Sequence, residues 1–215
     1  MRASRTALSL LTGFLTALLG PNVHAADLAI VIDDVGYNLE RGLRAVALPA
    51  PITIAILPFT PHSQFLAEKT SRAGKDLIIH QPMEAVPSKH VRHEQQTLTT
   101  QLTRPEFDAT ITRAIARIPK TLGFSNHTGS LLTTRYAPMR RFMQHLSLRG
   151  LFFLDSRTTP STIAAKVADE LGVTVLSRDV FLDHDRSLQS VQRAFEQAIR
   201  VARRKGHAIL VGHPY

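Results

Sequence analysis

Cysteine is absent from this chain of 215 residues, and so is tryptophan. Without cysteine the protein has no disulfide bonds, no thiolate nucleophile and no cysteine-ligated metal. Any transition-metal site must therefore be built from histidine, aspartate and glutamate, and the chain has ten histidines. At this length one sizeable α/β domain is the simplest organisation, because nothing in the chain demands a second core.

Acidic residues are the scarcer charged type, with 17 Asp and Glu against 26 Lys and Arg, for a formal net charge of +9. Part of the positive excess lies in helix-like segments such as RRFMQHLSLR and RVARRKGH. These segments lack the interleaved aromatic residues that single-strand nucleic-acid binders use. We therefore expect no nucleic-acid partner.

The first 25 residues differ from the rest of the chain. Arg2 and Arg5 precede the apolar run ALSLLTGFLTALLG, and the small residue Ala25 ends the segment VHA. This order is typical of a cleavable export signal, and the run is shorter than the roughly 20 residues of a spanning helix. We expect cleavage after Ala25, a mature domain over 26–215 without a membrane span, and a periplasmic or otherwise exported location.

Seven apolar, β-branched runs alternate with segments of helical periodicity. The runs are LAIVI (28–32), ITIAIL (52–57), LIIH (77–80), LGFS (122–125), LFFLD (151–155), VTVL (173–176) and AILVG (208–212). Continuous apolar strands between amphipathic helices predict a parallel sheet covered by helices. Periodicity leaves two architectures open, a doubly wound sheet and a (β/α) barrel. In both, the functional face lies at the carboxyl ends of the strands.

Six of the seven runs deliver polar or ionisable groups to that face. The groups are Asp33-Asp34 after the first run, His80 with QPME after the third, then NHTGS, DSRT, RDVFLD and GHPY. One histidine or aspartate at a strand end is more often a hydrogen-bonding or helix-capping residue. Their convergence on one rim nevertheless favours an active site. The polar stretch 85–103 is a candidate substrate-contacting loop at the same rim.

The adjacent carboxylates at the end of a buried strand indicate a bound cation, because unpaired buried charges are costly. Asp34 would bind a divalent ion, and Asp33 would accept a proton from a water molecule. Neutral imidazoles of His80 and His127 would complete a three-ligand, zinc-type site. Glu84 would be a further ligand or would orient one.

A histidine from the last strand has a different predicted role. His213 would be the general acid that protonates the leaving amine when an amide is hydrolysed. We assign supporting or substrate-binding roles to six more residues at the rim: Glu84, Asn126, Ser130, Asp155, Arg157 and Asp179.

Several longer motifs occur in order along nearly the whole predicted mature chain. They are IDDVGYN, LPFTPH, HQPME, NHTGS, GLFFLDSRT, RDVFLD and ILVGHP. Together they resemble the divergent polysaccharide deacetylase family of exported bacterial proteins, which is related to the NodB-type carbohydrate esterases. The resemblance implies an α/β fold, a deformed seven-stranded (β/α) barrel, and metal-dependent removal of acetyl groups from amino sugars.

The esterase pattern matches this chain at some positions and departs from it at others. Its Asp pair matches Asp33 as base and Asp34 as ligand, and its late histidine matches His213. Its two histidines four residues apart correspond here to His80 and Glu84, and its Arg-x-Pro-Tyr motif is replaced by NHTGS. We therefore assign His127, from the residues alone, in place of the second histidine ligand.

These observations predict an exported hydrolase that cleaves the C–N amide bond of acetylated amino sugars in an envelope polysaccharide or peptidoglycan, with Zn²⁺ as the expected ion. The alternative is a non-catalytic periplasmic glycan-binding or envelope-organising protein on the same fold. The base and acid favour the enzyme, and the altered motifs favour the alternative. A metal-dependent phosphoesterase is disfavoured because no Lys/Arg cluster joins the rim motifs. Since the chain ends at Tyr215, we expect the domain to lack the helix that would follow its last strand.

Overall fold

The structure of the protein, a computed structural model, describes residues 26–88, 94 and 96–215. The predicted export signal lies outside these residues, as does the middle of the polar loop. No helix within the described ranges is both long and apolar enough to cross a membrane.

Eight strands and six α-helices follow one another along the described part of the chain, and they alternate except where β7 directly follows β6. The strands are β1 (Asp27–Val35), β2 (Thr53–Ile56), β3 (Asp76–Met83), β4 (Gly123–Thr128), β5 (Phe152–Asp155), β6 (Val175–Ser177), β7 (Val180–Phe181) and β8 (His207–Gly212). The helices are α1 (Leu39–Val46), α2 (Ser63–Arg72), α3 (Arg104–Arg117), α4 (Tyr136–Ser147), α5 (Ala164–Asp169) and α6 (Leu188–Lys205). Every predicted strand and helix is present, and the short strand β7 is additional.

All strand pairings in the sheet are parallel, in the order β6-β5-β4-β3-β2-β1-β8-β7. The strands thus succeed one another in chain order, and the last strand, β8, returns to pair with β1. Within the described residues no pairing joins β6 to β7. The predicted α/β, deformed (β/α) barrel is confirmed, with eight strands in place of seven and an opening between β6 and β7.

Helix boundaries follow signals in the sequence. Asn38 caps α1 by accepting a hydrogen bond from the backbone N–H of Arg41, and Thr103 forms a capping box with Glu106 at the start of α3. Gly206 ends α6 in the left-handed conformation, at φ +85°, which glycine adopts without steric cost. These local preferences set where each helix turns back toward the next strand.

Strand alternation sorts the buried residues into two sets. One set packs beneath the helices and includes Ile54, Ile79, Phe124 and Phe153. The other fills the barrel interior and consists of Val31, Ala55, Ile78, Leu154, Ile209 and Val211. Because side chains alternate with a period of two, the next inward-facing positions are those two residues further along each strand: Asp33, Leu57, His80, Ser156 and His213. The barrel interior is therefore apolar in its lower part and mostly polar at the carboxyl ends of the strands, which form the mouth of the barrel.

Candidate active site

The three predicted metal ligands converge at the mouth of the barrel. Asp34 Oδ1 lies 2.7 Å from Nδ1 of His127 and 3.2 Å from Nε2 of His80, and one ligand atom from each residue lies within 4.8 Å of the others. Zinc–ligand bonds to nitrogen and oxygen measure about 2.0–2.2 Å, so one ion can contact all three atoms. Asp34 Oδ1 is also buried without a well-directed hydrogen bond from any described residue. The donor set and its spacing fit a divalent ion.

A bulge in β1 explains how two consecutive carboxylates reach the same mouth. Neighbouring residues in a regular strand point to opposite faces, but the register of β1 against β2 shifts between Ile32 and Val35. Asp34 there adopts a left-handed backbone conformation, at φ +56°. A bulge of this kind redirects a side chain, and here it turns Asp34 inward beside Asp33.

Each of the two predicted histidine ligands is oriented by a second group. Nδ1 of His80 lies 2.6 Å from Ser125 Oγ, which leaves Nε2 facing Asp34. Nε2 of His127 lies 3.4 Å from Glu94 Oε1, which leaves Nδ1 facing the same carboxylate. Partners of this type fix the ring and tautomer of metal-binding histidines. Sequence reasoning identified neither Ser125 nor Glu94.

The two carboxylates have different electrostatic surroundings. Asp33 is 2% exposed, and its Oδ2 lies 3.6 Å from His80 Nε2. Burial raises the pKa of Asp33, and the charge of His80 only partly opposes this effect. Burial also raises the pKa of Asp34, but the contacts with His127 and His80 outweigh it and hold that pKa well below its usual range. Asp34 is thus suited to be an anionic ligand, and Asp33 to be a proton acceptor.

The carboxylates around His127 favour its protonated form when no cation lies between them. Burial lowers the pKa of His127, but its interactions with Asp34 and Glu94 outweigh this and raise the pKa to about 10. A proton on Nδ1 and a bound metal ion exclude each other, because an imidazole must be neutral at the nitrogen that binds the ion.

His213 is held at the mouth by Asp183. Its Nδ1 lies 3.0 Å from Asp183 Oδ1, and its backbone N–H donates to the same carboxylate. Its Nε2 faces the site, 3.8 Å from Asp34 Oδ2. Burial lowers the pKa of His213, but the hydrogen bond to Asp183 and the nearby carboxylates raise it above its ordinary value. A histidine held in this way is suited to donate a proton.

Asp183 is not among the predicted site residues, because in the sequence RDVFLD is only a polar motif that follows the sixth apolar run. The structure shows that it contains β7, whose Phe181 packs against the barrel interior. Counting two residues from Phe181 gives Asp183, so strand alternation was a signal that could have identified it.

Three of the predicted supporting residues hold the rim together. Glu84 accepts a hydrogen bond from the backbone N–H of Thr100, and Ser130 accepts one from Val86. Asn126 is buried, donates to the carbonyl of Thr128 and accepts from the backbone N–H of Ser156. These contacts join the loops around β3, β4 and β5.

The other three supporting residues lie around β5 and β7. Asp155 accepts hydrogen bonds from the backbone N–H of Arg157 and from Thr162 Oγ1. Asp179 pairs with Lys205 and with the backbone N–H of Ile209, near the beginning of β8. Arg157 is exposed at the rim in a left-handed conformation, at φ +48°. The structure therefore brings Asp33, Asp34, His80, His127 and His213 together and gives Asp155 and Asp179 structural contacts.

Comparison with known proteins gives relatives over most of the chain. An uncharacterized protein of Escherichia coli (strain K12), YibQ, is 37% identical over 201 residues, and one of Haemophilus influenzae (strain ATCC 51907 / DSM 11121 / KW20 / Rd) is 38% identical over 187 residues. These matches cover 94% and 87% of this chain but only 62% and 66% of the relatives, so the chain spans less than two thirds of their length.

The fold and the family are also shared with known proteins. A crystal structure of an uncharacterized protein from Agrobacterium tumefaciens C58 superposes with a TM-score of 0.85 at 22% identity, and it covers 90% of this chain and 79% of that one. Residues 30–215 match the family described as divergent polysaccharide deacetylase. The chain belongs to the divergent polysaccharide deacetylase family.

Proposed function

We propose that the protein is an exported, metal-dependent hydrolase that removes acetyl groups from the amino sugars of an envelope polysaccharide or peptidoglycan. The observation that carries this proposal is the combination, at one mouth, of an Asp/His/His ligand group, a buried carboxylate and a carboxylate-supported histidine. Membership of the family supports a polysaccharide substrate. The sequence of the first 25 residues supports export to the periplasm or beyond.

The residues at the mouth match the requirements of amide hydrolysis, in which a water molecule loses a proton and the leaving amine gains one. Asp34, His80 and His127 would hold the ion, and zinc fits three such ligands with an open position. When bound there, a divalent ion would supply Lewis-acid polarisation of the acetyl carbonyl. Asp33 accepts the proton of the attacking water, and His213 Nε2 donates a proton to the amine nitrogen. Asp183 keeps the His213 ring directed toward the site.

The proposal is tested by offering acetylated chitooligosaccharides and peptidoglycan fragments to the zinc-loaded mature protein and measuring free acetate. Asp33→Asn and His213→Ala should each reduce acetate release about 10²-fold or more, because each removes one proton transfer. Both variants should keep the circular dichroism spectrum and zinc content of the wild type, since neither residue is a ligand. Acetate release that both variants retain in full would refute the assignment of base and acid.

A binding-only function is the second candidate, since two esterase motifs are altered: His80 is followed at four residues by Glu84, and NHTGS replaces Arg-x-Pro-Tyr. The same experiment separates the two functions. Glycan binding without acetate release from any substrate would favour a glycan-binding or envelope-organising protein.

A further inference from the structure

The loop after β1 and the loop after β2 pack together beside the proposed metal ligands and form one wall of the rim. The wall consists of residues 35–37 and 57–62. The backbone N–H of Leu57 donates to the carbonyl of Val35, and that of His62 donates to the carbonyl of Gly36. Gly36 has φ +141°, and a Cβ added to it would lie 2.0 Å from Thr60 Oγ1. Only glycine allows the loops to approach so closely without a shift. The contact holds Tyr37, three residues after the ligand Asp34, near Phe59.

This wall borders a cavity of about 270 Å³. Five of the six residues that line it are aromatic or apolar, namely Tyr37, Leu57, Phe59, Pro61 and Pro82, and the sixth is Glu94. Tyr37 is 56% exposed, so much of its ring is free to contact a ligand. The volume lies just below the range of about 300–1,000 Å³ that is usual for ligand pockets. This size favours a ligand moiety of one ring over a moiety of several rings.

The polar groups of the cavity connect it to the metal site. Glu94 interacts through hydrogen bonds with the Tyr37 hydroxyl and with His127, and its Oε1 lies 3.4 Å from Nε2 of that ligand. Its negative charge disfavours an anionic ligand, while its oxygens can accept hydrogen bonds from hydroxyl groups. A ring with an apolar C–H face and several hydroxyls meets both requirements.

We propose that this cavity is a subsite for one neutral pyranose ring. In the glycan, this ring is the neighbour of the sugar whose acetyl group is removed. This inference rests on the proposed function and locates where the neighbouring ring of the same glycan binds. The Tyr37 ring packs against the C–H face of the sugar, and Glu94 accepts a sugar hydroxyl. A monosaccharide placed at the metal leaves the subsite empty, so it binds more weakly than an oligomer.

The test is a calorimetric titration with N-acetylglucosamine and its β-1,4-linked tetramer. All zinc-loaded proteins carry Asp33→Asn, so that the ligand is not consumed. Adding Tyr37→Ala should weaken tetramer binding about tenfold, the size expected for loss of an aromatic contact, and leave monomer binding unchanged. Tyr37→Phe keeps the aromatic ring, so its affinity for the tetramer should fall less than about threefold.

A matched control is Tyr136→Ala, because Tyr136 is another exposed tyrosine whose hydroxyl donates to a glutamate, Glu170. This control should bind the tetramer as the parent does. Equal tetramer affinities with and without Tyr37→Ala, or no tetramer binding by the parent, would overturn the subsite.

The subsite and the proposed hydrolase can fail independently of each other. Acetate assays on proteins that keep Asp33 distinguish the two failures. Tyr37-dependent tetramer binding without acetate release would reject the hydrolase and keep the subsite. Acetate release with the same KM for the tetramer in wild type and Tyr37→Ala would keep the hydrolase and reject the subsite.

Discussion

Asp33 and Asp34 are adjacent in the chain, but the structure gives them different surroundings, which suit the opposite tasks that we propose for them. The difference comes from the backbone: the bulge exposes Asp34 to two imidazoles, while Asp33 remains at a buried strand position beside one. A pair of identical side chains can therefore act as ligand and base because their contacts differ. Contacts also distinguish His127, which faces Asp34, from Glu84, which accepts a hydrogen bond from the backbone N–H of Thr100.

The choice of third metal ligand can be tested directly. His127→Ala should weaken zinc binding more than about 100-fold, because it removes a ligand and not merely a group that orients one. Glu84→Ala should bind zinc as the wild type does, since Glu84 accepts a hydrogen bond from Thr100. Competition with a zinc-binding dye measures both affinities. Zinc bound normally by His127→Ala and lost from Glu84→Ala would reverse the assignment.

Asp183 is expected to position the proposed general acid. Asp183→Asn should lower acetate release on the order of 10- to 100-fold with unchanged zinc content, because the amide no longer fixes the His213 tautomer. The ¹⁵N chemical shifts of the His213 ring should change in the same variant, which a purely structural role would not require. Wild-type shifts together with wild-type activity would contradict the positioning role.

For individual residues, the sequence predicts membership of the site where the residue follows the periodicity of a strand. Asp33, His80 and His213 lie two residues beyond inward-facing apolar positions, so the pattern that identifies the strands also locates them. Glu94 could not be predicted in this way, since it reaches His127 from an irregular loop. Its position depends on how that loop returns to the rim, which local preferences do not determine.

Among the elements, the contact between α3 and α4 contains a compact charge cluster. Asp108 accepts hydrogen bonds from Nε and Nη2 of Arg141, each at 2.6 Å, and lies 2.7 Å from His145 Nε2. The hydrogen bond with Arg141 holds the pKa of Asp108 well below its usual range, although burial opposes it. The cluster therefore stabilises the helix pair in a pH-dependent way.

Asp108→Asn should lower the free energy of unfolding by roughly 0.5–1 kcal/mol at pH 7, since this carboxylate is 41% exposed and screened by water. The folded pKa lies below the unfolded value of about 3.9. The stabilisation is therefore complete above about pH 4 and is lost as the pH falls through the folded value. Urea unfolding at pH 7, 5 and 3.5 should show the two proteins converging in acid. A difference that grows as the pH falls would have the wrong sign for this cluster.

The elements themselves were largely predictable, because their boundaries depend on local signals. The α3 segment begins at a capping box and α6 ends at Gly206, and both features are visible in the sequence. The division of the segment after residue 173 into β6 and β7 was not predicted. Each of these strands is too short to give a periodic pattern, and only pairing with β5 or β8 defines it.

The proposed metal site joins strands from distant parts of the chain, so a bound ion should stabilise the whole molecule. Binding to the folded state alone adds about 2.7 kcal/mol at a free zinc concentration 100 times Kd. For a domain of this size that corresponds to a rise in Tm of roughly 5–10 °C. Differential scanning calorimetry with and without zinc should show the rise in wild type and not in Asp34→Asn. An equal rise in both proteins would place the stabilising ion elsewhere.

The pairing of β1 with β8 also constrains how the molecule is made. Every strand from β2 to β7 is synthesised before β8 arrives, so one edge of β1 has no partner until residues 207–212 are available. Contacts between segments so far apart in sequence form slowly, because a long stretch of chain must be ordered first. An unpaired inner strand is open to association with other chains in the meantime. Since β8 also brings His213 to the mouth, the chain acquires its proposed acid in the same step that pairs the open edge of β1, so the proposed activity would require a complete sheet.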